Sequence, residues 1–192
     1  MKRKIPLAMA LVALAVSILS VGTLAFFSVR DQTINRITMG NVHAELIEQT
    51  KTEQGVVPYP AETVTGVMPG EALSKIVFAK NTGGSAIWVR MRAVVTCTVT
   101  DDNGKDAAAD AAGITPQYNT ADWTAGADGW YYYNAALAPE AVTPPLFETV
   151  TFSLDLGNDY ADAKVQVAVS LEAVQSVNNG ASALLAAGWP AA

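Results

Sequence analysis

Apolar and polar residues alternate with a period of two along Ala86–Thr100. Ile87, Val89, Met91, Ala93, Val95, Cys97 and Val99 fall on one side of an extended chain. Trp88, Arg90, Arg92, Val94, Thr96, Thr98 and Thr100 fall on the other. Successive strand side chains point to opposite faces, so the first set makes an almost wholly apolar face and the second a polar one interrupted by Trp88 and Val94. A helix would scatter the two arginines and the threonines around its circumference, so the pattern predicts a half-buried strand. Lys164–Val174 repeats it, with Val165, Val167, Val169, Leu171 and Ala173 on one face. Shorter runs at Asn41–Glu48, Glu62–Met68, Leu73–Lys80, Trp130–Tyr133 and Phe147–Leu154 read as further strands.

The connections carry turn chemistry. Pro69-Gly70 closes one run, and Asp101-Asp102-Asn103-Gly104 another. Asn81-Thr82-Gly83-Gly84 tolerates positive φ, and predicts a hairpin between Leu73–Lys80 and Ala86–Thr100. Asp106–Gly113 reads as a loop or short helix, and Ala181–Ala187 as a short terminal helix. No segment offers the crossover helices of a parallel sheet. The expected class is therefore all-β: a two-sheet antiparallel sandwich.

The N-terminus breaks this pattern. Lys2, Arg3 and Lys4 precede a stretch from Ile5 to Val29 without a charged residue. A basic start, an apolar centre and small residues at Thr23-Leu24-Ala25 predict a secretory signal helix cleaved between Ala25 and Phe26. The run is also long enough to span a bilayer, which takes about 20 residues, but Pro6, Ser17, Ser20, Gly22 and Thr23 weigh against an anchor. Membrane contact is expected only through the uncleaved signal. The expected organisation is a signal peptide at 1–25, an N-terminal segment at 26–40, a sandwich at 41–177, and a tail or short helix at 178–192.

Composition then narrows the chemistry. The chain of 192 residues has 12 basic and 18 acidic residues, net charge -6, which excludes a general nucleic-acid binder. At 51% hydrophobic residues it is too apolar to be disordered. Cys97 is the single cysteine, so no internal disulfide forms, and its place on the apolar face marks it as a core side chain.

Catalytic patterns are missing from the residues. His43 is the single histidine, so a His-Glu-x-x-His zinc site is not possible, and no Gly-x-Ser-x-Gly elbow accompanies it. Asp101, Asp102, Asn103, Asp106 and Asp110 cluster, but their spacing is not that of an EF-hand and reads as a solvated turn. No catalytic residue, metal or cofactor is expected. Alternation places Trp130 and Tyr132 together, opposite Tyr131 and Tyr133, which makes Trp130 and Tyr132 a candidate ligand platform for a cell-surface glycan-binding module.

Several segments, in order, resemble the TasA/camelysin family. The exit of the signal, Val21-Gly22-Thr23-Leu24-Ala25-Phe26-Phe27-Ser28, is similar to signals processed by a SipW-type signal peptidase. Ile37-Thr38-Met39-Gly40-Asn41-Val42 resembles the entry to the family's first strand. Met68-Pro69-Gly70-Glu71, Lys80-Asn81-Thr82-Gly83, Asp128-Gly129-Trp130-Tyr131-Tyr132-Tyr133 and Leu171-Glu172-Ala173-Val174-Gln175 resemble later segments. The resemblance implies a jelly-roll-like sandwich exported by Gram-positive bacteria. It implies a structural subunit of biofilm matrix fibres, major or accessory, whose partners are the signal peptidase and then itself or a related matrix subunit. It further implies assembly by donor-strand addition through residues 26–39, with Phe26, Phe27, Val29, Ile34 and Ile37 as candidate apolar anchors. Camelysin members carry a metallopeptidase label. The absence of a recognisable zinc motif argues against transferring it, and the expectation is a non-enzyme located in the matrix or at the cell surface.

Overall fold

The computed structural model describes residues 42–60, 69–100, 105–157, 160 and 163–190. The signal, the Ala25–Phe26 junction, the anchors Phe26, Phe27, Val29, Ile34 and Ile37, and the predicted strand Glu62–Met68 lie outside the described residues. Among the described residues, no helix is long and apolar enough to cross a membrane.

The strands are β1 (Ala44–Thr52), β2 (Gly55–Pro58), β3 (Ala72–Asn81), β4 (Ile87–Thr100), β5 (Asp106–Ala109), β6 (Ile114–Tyr118), β7 (Trp123–Ala125), β8 (Tyr131–Tyr133), β9 (Phe147–Phe152) and β10 (Lys164–Gln175). They form two antiparallel sheets. The first runs β2-β1-β3-β9-β6, and the second β10-β4-β8-β7, with β5 also on β4. The expected two-sheet all-β architecture is what the chain adopts. Asp106–Ala109 is a strand, not the expected loop or helix, because it pairs with Cys97–Thr100 at the far end of β4. The C-terminal helix shrinks to a 3-10 turn at Ala183–Leu185.

The inner faces meet in one apolar core. Val77 and Ala79 of β3, with Phe147 and Val150 of β9, face Val89 and Met91 of β4 and Leu171 and Ala173 of β10. The period-two face read from β4 is the face that packs here. Cys97 lies in this core, where burial raises its thiol pKa.

The predicted hairpin between Leu73–Lys80 and Ala86–Thr100 does not form. Pairing with β1 and β9 saturates both edges of β3, while β4 takes β10 on one side and β8 and β5 on the other. The Asn81–Gly84 turn instead carries the chain from one sheet to the other. Asn81 is buried there, donating through Nδ2 to the carbonyls of Ser85 (2.8 Å) and Leu137 (3.0 Å) and accepting from the Gly83 N–H (2.9 Å). These bonds satisfy a corner that would otherwise bury unpaired backbone groups.

Candidate functional site

The outer face of the second sheet carries a second cluster. Trp88 and Arg90 project from β4, opposite the core-facing set. Tyr132 of β8 stands directly across from Arg90, and Glu172 of β10 flanks it on the other side. The cluster closes around Trp88, Trp130, Tyr132, Val174 and Ala183, with Ala186 and Trp189 packed against it.

Arg90 is the hub. Its Nε donates to Glu172 Oε2 at 2.8 Å, and its Nη2 lies 2.7 Å from the same oxygen. Nη1 donates to the Tyr132 hydroxyl at 3.1 Å and to Asp128 Oδ2 at 3.3 Å, and Nη2 reaches the Pro190 carbonyl at 3.4 Å. The guanidinium carbon sits 4.4 Å from the Trp130 ring centroid and 4.8 Å from that of Trp189. The planar, weakly hydrated guanidinium suits such a place, since it offers donors in its plane and faces to aromatic rings. Arg92, one pleat along, stacks on Trp130 at 4.8 Å.

Asp128 ties the β7–β8 turn to this hub. It accepts the Tyr132 hydroxyl at 2.6 Å and the Trp130 backbone N–H at 3.2 Å. Burial works to raise its pKa, but these hydrogen bonds and the Arg90 charge outweigh that and hold the carboxyl below its ordinary value. Tyr132 is pushed up, first by burial and then by donation to Asp128. Gly126 makes the close turn possible, since a Cβ there would stand 2.6 Å from the Tyr132 ring.

The candidate platform is therefore placed as alternation predicts, with Trp130 and Tyr132 on one face and Tyr131 and Tyr133 turned to the core. It is not open. Trp130 is 5% and Tyr132 6% exposed, and Arg90 7%. Trp189 covers the site, its ring edge-on to Tyr132 at 5.9 Å. The covering segment is a C-terminal strap beyond β10. Sequence reasoning missed the strap and the role of Arg90. The one signal was Trp88, an indole on an otherwise polar face.

The other sequence candidates do not converge. His43 is exposed just before β1, while Cys97 lies in the core. Asp106 is held by Lys164 (2.9 Å) and Thr100 (2.7 Å), whose hydrogen bonds lower its pKa. Asp110 accepts the Ala112 N–H. Asp101, Asp102 and Asn103 lie outside the described residues. Among the described residues, no three His, Cys, Asp or Glu side chains come together as a ligand set, so these residues do not fit a zinc centre.

A family model described as camelysin metallo-endopeptidase matches residues 1–115. No curated protein and no solved structure matches the chain. The family match includes Trp88, Arg90 and Arg92 but stops before Asp128, Trp130, Tyr132, Glu172 and Trp189, the groups that close over them.

Proposed function

Since the chain belongs to the camelysin family, we propose that it is a non-enzymatic structural subunit. In this reading it is exported with loss of residues 1–25 and joins copies of itself, or a related matrix subunit, by strand addition. The observation that carries the reading is β2. Among the described residues it pairs with β1 alone, at the border of the first sheet, and all four of its residues are exposed. Gly55-Val56-Val57-Pro58 contains no charge. Natural edge strands are guarded by charge, bulges, shortness, proline or a covering element, because their free backbone groups recruit other strands. β2 is short and ends in Pro58, but it carries no charge and its residues are exposed. The apolar residues at Phe26, Phe27, Val29, Ile34 and Ile37 of an incoming segment provide the matching partner, with backbone pairing supplying affinity.

The family description names a metallo-endopeptidase, and that chemistry needs a metal held by clustered donors. The described residues do not bring such donors together, which is the ground for a non-enzymatic reading. A glycan platform at Trp130 and Tyr132 gains no support from rings that lie beneath Trp189.

The test is electron microscopy of the chain from Phe26 onward, concentrated and brought to mildly acidic pH so that carboxylate repulsion relaxes. Ordered filaments are expected, and deletion of residues 26–39 is expected to leave folded monomers. Filaments that persist unchanged after that deletion overturn strand addition. Zinc dialysed into the protein is expected to leave no stoichiometric metal, and bound zinc together with chelator-sensitive proteolysis would overturn the non-enzymatic reading.

A further inference from the structure

The outer face of the second sheet changes character along β4. Arg90 is 7% exposed beneath the strap, Arg92 is half-buried, and Val94 is 46% exposed. Glu172, Ser170 and Ala168 of β10 stand directly across from these three and follow the same course from covered to exposed. Arg92 and Ser170 therefore sit where the cover ends.

Among the described residues, two buried side-chain polar atoms have no hydrogen-bond partner, Arg92 Nε and the Trp189 indole nitrogen, and both lie against this cluster. Both are donors. Acceptors are short because Arg90 takes the two carboxylates, Glu172 and Asp128. Lys164, the other cation on this face of β10, is held by Asp106. Among the described residues, Arg92 is thus a cation on this face that no carboxylate pairs. A buried donor without an acceptor costs free energy, and a ligand that brings the acceptor recovers it.

The guanidinium is already ordered for such a ligand. Its carbon lies 4.8 Å from the Trp130 ring centroid. Stacking uses the flat face of the group and leaves its in-plane donors, a fork that matches a carboxylate. The order that binding would otherwise impose on a long side chain is present beforehand. Ser170, with its Cβ about 5 Å from that of Arg92, adds a hydroxyl. One pleat further, Val94 and the exposed Ala168 across from it make a small apolar step. A single unpaired cation calls for a single carboxylate, whereas a polyanion draws on several cations and meets the chain's net charge of -6.

We propose that Arg92 anchors a docking site for an acidic peptide. An Asp or Glu side chain on an extended segment pairs with the guanidinium and the Ser170 hydroxyl, and an apolar side chain two residues along rests on Val94 and Ala168. The spacing fits, because same-face residues of any extended chain are about 6.7 Å apart, as Arg92 and Val94 are. This site stands apart from strand addition at β2, since it lies on the other sheet and uses side chains.

The experiment titrates the chain from Phe26 onward, labelled with nitrogen-15 at neutral pH, with the blocked pentapeptide SESLS and its glutamine counterpart SQSLS. The readout is the Arg92 side-chain Nε–H signal, assigned by its contacts to the Trp130 ring protons. SESLS is expected to move this signal and saturate in the millimolar range, with SQSLS about tenfold weaker. No movement, or equal movement with both peptides, overturns the proposal. That comparison needs no variant. Arg92→Lys, which keeps the charge but loses the fork, is expected to abolish the preference for SESLS, and a preference that persists overturns the role of Arg92. Val94→Ser is expected to weaken SESLS about threefold while leaving the response to acetate unchanged, and unaltered SESLS binding overturns the apolar contact. Trigalacturonate moving the signal at lower concentration than SESLS overturns the choice of a peptide.

Discussion

The two faces of β4 pack in opposite ways. Inward, Val89 and Met91 meet Phe147 and Leu171 in a core without a charge at its centre. Outward, Trp88 and Arg90 lie beneath a strap in a cluster organised by a cation, two carboxylates and four aromatic rings. The inner face is held by contact area, which is non-directional and tolerates adjustment. The outer face is held by partners that must each be present, because a buried charge left unpaired costs more than the pair gained. The first kind of packing unites two sheets, and the second fastens a terminal segment to one of them.

This contrast orders the expected effects of mutation. Phe147→Ala should cost most, about 3–5 kcal/mol in urea unfolding, because it opens a cavity where both sheets meet. Arg90→Ala should cost about 3 kcal/mol by leaving Glu172 without its cation. The double variant Arg90→Met with Glu172→Leu should recover part of that loss, and an equal or larger loss would show that the unpaired Glu172 charge is not what destabilises Arg90→Ala. Trp189→Ala should cost only about 1–2 kcal/mol, the scale of aromatic and cation–π contacts, while amide exchange quickens in the strap and stays slow in β4.

The smallest effects separate the two faces by pH. Tyr118, stacked on Tyr131 with centroids 4.0 Å apart, is pushed up to about 12, first by burial and then by the Tyr131 charge. Its stabilising contribution is whole below the ordinary tyrosine value of 10.0 and is lost as pH climbs through about 12. Asp128 works in the other direction: its contribution is whole above the ordinary 3.8 and is lost as pH falls through its lowered native value. Tyr118→Phe should flatten the alkaline limb of the stability profile, and Asp128→Asn the acid limb. If either substitution flattens the opposite limb, the assignment of these groups to the two limbs fails.

The inner face is legible in the chain because its signal is local. Alternation in Ile87–Thr100 and Lys164–Gln175 states which side chains share a face, whichever strands turn out to be neighbours. Pairing is not local, and the Asn81–Gly84 turn illustrates this. Its residues suit a hairpin, yet the edges of β3 are filled by β1 and β9, and the same residues serve a corner between sheets. β2 and β7 are short and weakly patterned, and alternation gives no sign of them as strands. β6 does alternate, Ile114, Pro116 and Tyr118 against Thr115 and Gln117, but over five residues interrupted by a proline. The outer cluster is less legible still. Arg90 meets Glu172 and Pro190 across 82 and 100 residues of sequence. A charged residue on a polar face gives no sign that a distant tryptophan will cover it. Trp130 and Tyr132 stand out by residue type, and they share one face as alternation predicts. Sequence leaves unsaid that the chain supplies its own ring to stack there.

Cys97 carries a consequence for reversibility. It is the single cysteine of the chain, 3% exposed, with its thiol shifted away from the thiolate form. Disulfide exchange requires an accessible thiolate, so an oxidising exterior finds little to react with. Copies of this protein cannot be welded through sulfur while the sandwich stays folded. A reducing agent should therefore make no difference to how readily copies that have joined come apart in denaturant.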